Sequence, residues 1–517
     1  MSSFIAISES TPGLFGFALL LSIFLLSYRL LAHPLAKYPG PFVARVTDGY
    51  AGYFAFKKRV HLATYSDHIK YGSVYRQAPN RLVFNTSAAL RDIYLNNGIG
   101  KAHVYQHTQF NAQINIFGTL DKEQHRQKRK IYGSVLSERS LRSFEPSMTY
   151  EINVFLAQLL RNASQIVNIS PMCEYLTTDI AGQLAFGQPL NTQVEETNKL
   201  FPRAMVSMNA VVNIFMCWPV LKKAWPLLAR LNKKNGAAFS NAIRGIVNKR
   251  KDLPKDARHD FFSLVATDDS TTEEGLKASH LWAEAIFILP AGGTTIASAI
   301  SAAFFYLSRY PDVYSTLATE IRTRFSSGSD IKIGPQLSGC EYLRATIDET
   351  LRSAPPFTGT FWREPFPDYT DQFIVDGHVI PRGVLVGVNP YCVMHNEKYF
   401  PEPFLFRPDR WLGHDSQERA AMREAFAPFA FGETGCLGKA MAYHEMCLVL
   451  AKTLWYFDFR KAPGEAGKLG GGEPGRLDGR DRVDQYQLLD HAVASHDGPN
   501  LVFTPRGDYY KSELGSV

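Results

Sequence analysis

The chain predicts a mainly α-helical protein with a smaller β portion. Three features of its 517 residues carry this reading. Residues 273–308 keep helical apolar spacing without a break until Arg309-Tyr-Pro-Asp312, where a proline stops one helix and starts the next. Amphipathic helical patterns recur on both sides of that run. Strand patterns are confined to short stretches such as FIVDGHVIPRGVLVGV at 373–388, alternating with turn residues.

In chain order, residues 13–28, GLFGFALLLSIFLLSY, are apolar and RLLA extends them. About 20 such residues span ~30 Å of hydrocarbon. Arg29, His33 and Lys37 follow the run and Glu9 precedes it, so the positive-inside rule places the bulk of the chain on the cytosolic side. No basic leader or small-x-small cleavage site marks a signal peptide. Residues 1–32 are therefore read as a membrane anchor. Pro34, Pro39 and Pro41 make 33–45 a stiff spacer, and 46–517 is read as one large domain. Residues 64–84 predict a short helix followed by strands. Residues 121–142 predict a basic helix and 148–185 an amphipathic helical stretch. Residues 200–234 are strongly apolar, with Phe215, Trp218 and Trp225 beside Lys222 and Lys223, and suit a buried helix or one dipping into a membrane surface. Residues 341–353 form another helix. The glycine-rich 462–480 reads as a flexible insertion, and 497–506 as a last strand pair.

Composition is globular, with 45% hydrophobic and 20% charged residues, ample for a large core. A net charge of +7, dispersed along the chain, does not argue for nucleic acid. The six cysteines are widely scattered and read as reduced thiols.

The most informative stretch is 429–440, FAFGETGCLGKA. It places Cys436 in a glycine-rich loop just before a helix predicted over 437–455. Gly432, Gly435 and Gly438 give a tight loop its freedom and leave room for a flat cofactor. The helix N-terminus aims N–H groups at the sulfur and favours a thiolate. Such a thiolate is a nucleophile or a haem ligand; a zinc site lacks a second CxxC or histidine pair.

Upstream lie ETLR (349–352), FRPDRW (406–411), AGGTT (291–295) and HRQKR (125–129). In this order and spacing the chain resembles the cytochrome P-450 family, from the N-terminal anchor to near the C-terminus. The resemblance implies a cytochrome P-450-like fold, haem b with Cys436 as axial iron ligand, and Phe429 packed on the sulfur side. It implies that His125, Arg129 and Arg363 meet the haem propionates. Glu349, Arg352 and Arg410 would form a buried lock beneath the haem. Ala291 and Gly292 would let a helix cross close over the haem, with Thr295 relaying protons and Thr294 standing where an acid is usual. Pro290 should loosen that helix turn. An arginine is usual where Thr434 stands. Phe110, Ile114, Ile116, Phe117, Phe357 and Phe361 would line an apolar pocket.

The implied activity is oxidation of a lipophilic organic substrate with O2, of the type in fungal secondary-metabolite biosynthesis. Electrons would come from NADPH through a separate diflavin reductase, because the chain carries no flavin or nucleotide fingerprint. The implied location is the endoplasmic-reticulum membrane, single-pass, with the catalytic domain cytosolic. Two alternatives stand beside this reading: a reductase-independent haem-thiolate isomerase, dehydratase or peroxygenase, and a non-enzymatic haem-binding membrane protein.

Overall fold

The computed structural model describes residues 16–17, 19–109, 114–226, 233–254, 260–261, 263, 278–413 and 417–513. An apolar helix α1 (Leu19–Ala32) leads into a short α2 (Phe42–Val46) and α3 (Gly49–Phe56). The proline-rich connection is docked rather than free. Leu35 and Tyr38 are buried, and the Arg76 N–H donates to the Pro39 carbonyl at 2.8 Å.

Helix α4 (Val60–Tyr71) then feeds the hairpin β1 (Val74–Ala78) and β2 (Arg81–Phe84), as expected for 64–84. Beyond α5 (Ser87–Tyr94), strand β3 (Ile99–Lys101) joins the far edge of the same sheet.

The basic segment 121–142 is two helices, not one. Asp121 caps α6 (Lys122–Val135) by accepting from the Gln124 N–H, and Ser137 opens α7 (Glu138–Arg161) by accepting from Ser140. Only Leu136 and Ser137 separate the two helices, too short a gap for apolar patterning to register; the caps decide it. Residues 148–185 are likewise split, by β4 (Ile166–Asn168) ahead of α8 (Ile169–Phe186). Helix α9 (Leu200–Cys217) ends at Trp218, and a 3₁₀ turn, Pro219–Ala224, follows; residues 227–232 of that apolar run lie outside the described residues. Helix α10 (Lys233–Lys251) comes next.

The long central helix is present in three parts. They are α11 (Ala278–Ile288), a π-helical turn at Leu289–Thr294, and α12 (Thr295–Leu307). Its expected start at 273–277 lies outside the described residues. The wide turn falls at Pro290, which has no N–H for the ordinary i−4 bond. The Thr177 hydroxyl, from α8, donates to the Gly293 carbonyl in that turn at 2.6 Å. All of Ile296–Leu307 is buried, so α12 is the axis of the core.

Pro311 opens α13 (Pro311–Arg324), and α14 (Glu341–Ser353) packs against α12. Strands β5 (Arg363–Pro365) and β8 (Leu385–Val388) complete a five-stranded sheet of order β1-β2-β8-β5-β3, with β2 and β8 parallel; β6 (Ile374–Val375) and β7 (His378–Val379) form a separate hairpin. Helix α15 (Lys439–Tyr456) returns through the core, starting two residues later than expected.

Two loop expectations are corrected. Residues 462–480 form a folded loop: the Gly472 N–H donates to Arg482 O, Glu473 N–H to Arg480 O and Gln487 N–H to Gly470 O, at 2.8–3.0 Å. Glycine content signalled tight packing there, since a Cβ on Gly472 would come within 2.6 Å of two backbone oxygens. Residues 497–506 hold one strand, β10 (Asn500–Pro505), at the centre of a β4-β10-β9 sheet with β9 (Phe457–Lys461). Its pairing partners are remote in sequence, so no local pattern announced them.

Candidate haem-thiolate site

The cysteine loop is held by its own backbone. The Cys436 N–H donates to Phe429 O at 2.8 Å and Gly435 N–H to Gly432 O at 3.0 Å. Gly432 sits at φ +67°, and a Cβ there would lie 2.1 Å from the Tyr94 carbonyl oxygen, so only glycine fits. A Cβ at Gly438 would sit 3.9 Å from the Cys436 sulfur. The Phe429 ring tilts against Tyr443 at 5.3 Å, and the Lys439 ammonium lies 5.7 Å from the Phe429 ring centre.

Cys436 is the exposed member of the six free cysteines. It is nonetheless deep enough that burial raises its thiol pKa, against the Gly438 N–H, Arg129 and Lys439, which lower it. An accessible sulfur this deep faces an internal space. Burial thus opposes the helix-terminus preference for thiolate. A bound cation would reverse that balance.

Arg129, Arg363 and Lys101 gather with His125 beside this loop. Arg129, from α6, donates to Gly435 O at 2.7 Å. Arg363, at the start of β5, donates to the Thr434 hydroxyl at 2.7 Å and to the Tyr105 hydroxyl at 3.2 Å. Lys101, from β3, donates to the carbonyls of Ile116 and Phe117 at 2.6 and 3.0 Å. With His125 and Thr434, Arg363 and Lys101 line one narrow cleft. Burial drives the His125 pKa down to about 3, helped by Lys101, Arg129 and Arg363; burial and Arg363 drive Lys101 well down. Glu433 lines the same cleft, but among the described residues no carboxylate is ion-paired with Arg129, Arg363 or Lys101, and positive groups so placed suit a dianionic ligand, which the two propionates of haem supply. Lys101 was missed by sequence reasoning; a lone lysine in a three-residue strand carries no periodic signal.

The π turn of the central helix presents an open face. Ala291 and Thr295 are accessible, while Gly293 and Thr294 are buried against α8 and α9. The Thr295 hydroxyl donates to Ala291 O at 2.6 Å. The Thr294 hydroxyl donates to Pro290 O at 2.6 Å and accepts from Asn209 at 3.4 Å. The two threonines therefore do not share a face.

Glu349, Arg352 and Arg410 meet in the core. Arg352 makes two bonds to Glu349, at 2.8 and 2.9 Å, and Arg410 adds one at 3.1 Å. Trp411 Nε1–H and the Arg407 N–H complete the carboxylate shell at 3.0 and 2.9 Å. Arg352 also donates to Met394 O and Pro403 O.

Of the expected pocket residues, the Phe357 and Phe361 rings stack at 4.4 Å, and Phe117 lies on Phe287. Ile116 is buried and Ile114 exposed; Phe110 lies outside the described residues.

Comparison with known proteins agrees with this geometry. The cytochrome P450 family model matches residues 57–469. "Cytochrome P450 monooxygenase AKT7" of Alternaria alternata is 32% identical, over 92% of this chain and 94% of its own. "Cytochrome P450 monooxygenase poxM" of Penicillium oxalicum is 35% identical, over 96% and 94%. "Cytochrome P450 monooxygenase apf7" of Gibberella fujikuroi is 31% identical, over 94% and 96%. The chain belongs to the cytochrome P450 family, a class of haem-dependent oxidoreductases that incorporate oxygen.

Proposed function

We propose that this chain is a membrane-anchored haem-thiolate monooxygenase of fungal secondary-metabolite type. The observation that carries the reading is the accessible Cys436 thiol in a glycine-shaped loop beside Arg129, Arg363 and Lys101, none of which is ion-paired to a carboxylate among the described residues. When bound, haem supplies the O2 chemistry. Cys436 would hold its iron, with Phe429 shielding the sulfur and Gly432 and Gly438 shaping the loop. Arg363, Arg129 and His125, joined by Lys101, would hold its propionates. Thr434 stands in place of the usual arginine and holds Arg363 in position through its hydroxyl. Thr295 would pass protons at its Oγ1 on the open face. Thr294 would hold the wide turn against Asn209, and the Glu349–Arg352–Arg410 lock would keep the core beneath the loop rigid.

The substrate would be lipophilic, with Phe357, Phe361 and Phe117 offering apolar ring surface. Electrons would come from NADPH through a separate diflavin reductase. Helix α1 would be a single pass in the endoplasmic-reticulum membrane with the domain cytosolic. Two other helices, Glu196–Cys217 and Ala283–Leu307, have the length and apolarity to cross a membrane; 67% of the second's apolar window is buried in the protein, which supports a role in the core, against 39% for the first.

The test is the spectrum of reduced membranes with CO, together with product formation from NADPH and reductase. Wild type should show the thiolate-haem band and reductase-dependent turnover. Cys436→Ser should lose both. A normal band in the variant rejects the ligand assignment. Turnover that ignores NADPH rejects the monooxygenase.

A further inference from the structure

The folded glycine-rich loop and the turn after α3 enclose a cavity apart from the haem site. It measures about 750 Å³, with Lys57 and Arg59 in one wall and Arg476 and Arg480 in the other. Ordinary small-ligand pockets hold about 300–1,000 Å³.

The charges of its walls do not cancel. Asp478 and Glu473, the two acids that line it, both bind Arg476, at 2.6 and 3.4 Å. The Arg480 guanidinium is buried and donates to Gln487, Lys58 O and Leu488 O, all uncharged, while its backbone N–H donates to the Asp478 carboxylate at 3.3 Å. The Arg59 guanidinium lies 5.2 Å from the Phe54 ring centre, and its buried Nε has no partner. Among the described residues no carboxylate stands within ion-pair distance of Lys57, Arg59 or Arg480. Guanidinium pairs in this setting are matched by an oxyanion, phosphate above all.

The cavity lies close to the end of the apolar helix. Arg29, in the last turn of α1, donates to the Val46 carbonyl, and Val46 stands three residues before α3. At 1.5 Å per residue α3 spans only about 12 Å, and its C-terminal half forms one wall of the cavity. Exposed apolar side chains adjoin the lining: Tyr53, which lines the cavity, and Phe56, before lining Lys57, are each 56% exposed, and Leu477, between lining Arg476 and Asp478, is fully so. Exposed aromatic and aliphatic side chains beside basic ones mark a membrane boundary.

We propose that this cavity binds the phosphate of an anionic membrane phospholipid, held by Lys57, Arg59 and Arg480, with Leu477, Tyr53 and Phe56 resting in the acyl boundary beside it. The proposal rests on the reading of α1 as a membrane anchor. The apolar rim favours a lipid over free phosphate, since a soluble anion gains nothing from Leu477.

Calorimetric titration of full-length, haem-loaded protein in detergent tests it. Three probes are used: dihexanoyl phosphatidic acid, inorganic phosphate, and dihexanoylglycerol, which reports partition into micelles. The phosphatidic acid should bind saturably and about tenfold tighter than phosphate, a difference readily resolved in Kd. Arg59→Gln should weaken both anions about tenfold, as loss of a charged hydrogen-bond donor predicts. Leu477→Ser should weaken the lipid alone. Equal affinity for lipid and phosphate with Leu477→Ser silent overturns the lipid assignment. Dihexanoylglycerol binding as tightly as phosphatidic acid, or an unchanged Arg59→Gln, overturns the site. Because Arg480 is buried and its loss can unfold the loop, Lys57→Gln serves as the second variant and should weaken both anions. The anchor is tested separately by flotation with phosphatidylcholine vesicles. A chain that fails to float yet still binds phosphatidic acid overturns the anchor and upholds the site.

Discussion

Gly432 and Thr295 show how single residues set the site. Gly432 needs a positive φ and has a carbonyl 2.1 Å from where a Cβ would stand. Gly432→Ala should cost about 1–3 kcal/mol of backbone strain, before any displacement of Tyr94. It should lower haem content and melting temperature together, while an unchanged haem-to-protein ratio would mean that the loop tolerates a side chain. Thr295 has the accessible hydroxyl and Thr294 the buried one. Thr295→Ala should keep haem and substrate binding but release more hydrogen peroxide per NADPH consumed. Thr294→Ala should leave that ratio near wild type and lower thermal stability instead, because it removes a contact to Asn209. Equal peroxide release from both variants would dismiss the distinction drawn from their faces.

At the scale of elements, the Glu349 carboxylate ties α14 to the segment 401–411. It accepts from Arg352, Arg410, Trp411 and the Arg407 backbone, with Glu349 and Arg352 fully buried. An exposed pair would contribute only ~0–1 kcal/mol. Stripping one partner from a buried network strands the rest and costs about 3–5 kcal/mol. Glu349→Ala should therefore fail to accumulate as haem-loaded protein, not merely turn over slowly. Wild-type expression, haem content and melting temperature would show the network to be dispensable. Pro290 acts on this scale too. Its missing N–H puts the π turn where Ala291 and Thr295 open outward.

For the molecule as a whole, stability against pH carries opposing contributions. Burial pushes His496 down to about 4, and its ring meets the Ser170 hydroxyl at 2.5 Å. The unfolded chain would protonate that histidine near ~6.5. Its contribution to stability is therefore complete above that pH and is lost as pH falls toward 4, at up to about 1.4 kcal/mol per pH unit. Burial pushes Glu151 and Glu174 up to about 7, which works in the opposite direction, so the net slope of wild type isolates neither effect. His496→Gln removes only the histidine contribution. The difference between wild-type and variant denaturation midpoints should narrow from pH 7.5 to 5.5; parallel curves would mean that His496 titrates normally in the fold.

The mainly helical architecture, the central helix and its disturbance at Pro290, the cysteine loop and the Glu349–Arg352 pairing were legible in the sequence. Each depends on neighbours within a few residues: an i to i+3 contact, a ring without an N–H, glycines round one thiol. What lay beyond reach depended on partners far along the chain. β10 pairs with strands more than thirty residues away, Lys101 lines one cleft with Thr434 of the cysteine loop, and the glycines of 462–480 are packed by backbone that sequence does not reveal. Burial made the remaining decisions. It weighs against the Cys436 thiolate until a cation binds, and it closes Thr294 in against α8 and α9 while leaving Thr295 accessible, because desolvation is a property of the assembled fold and not of any local motif.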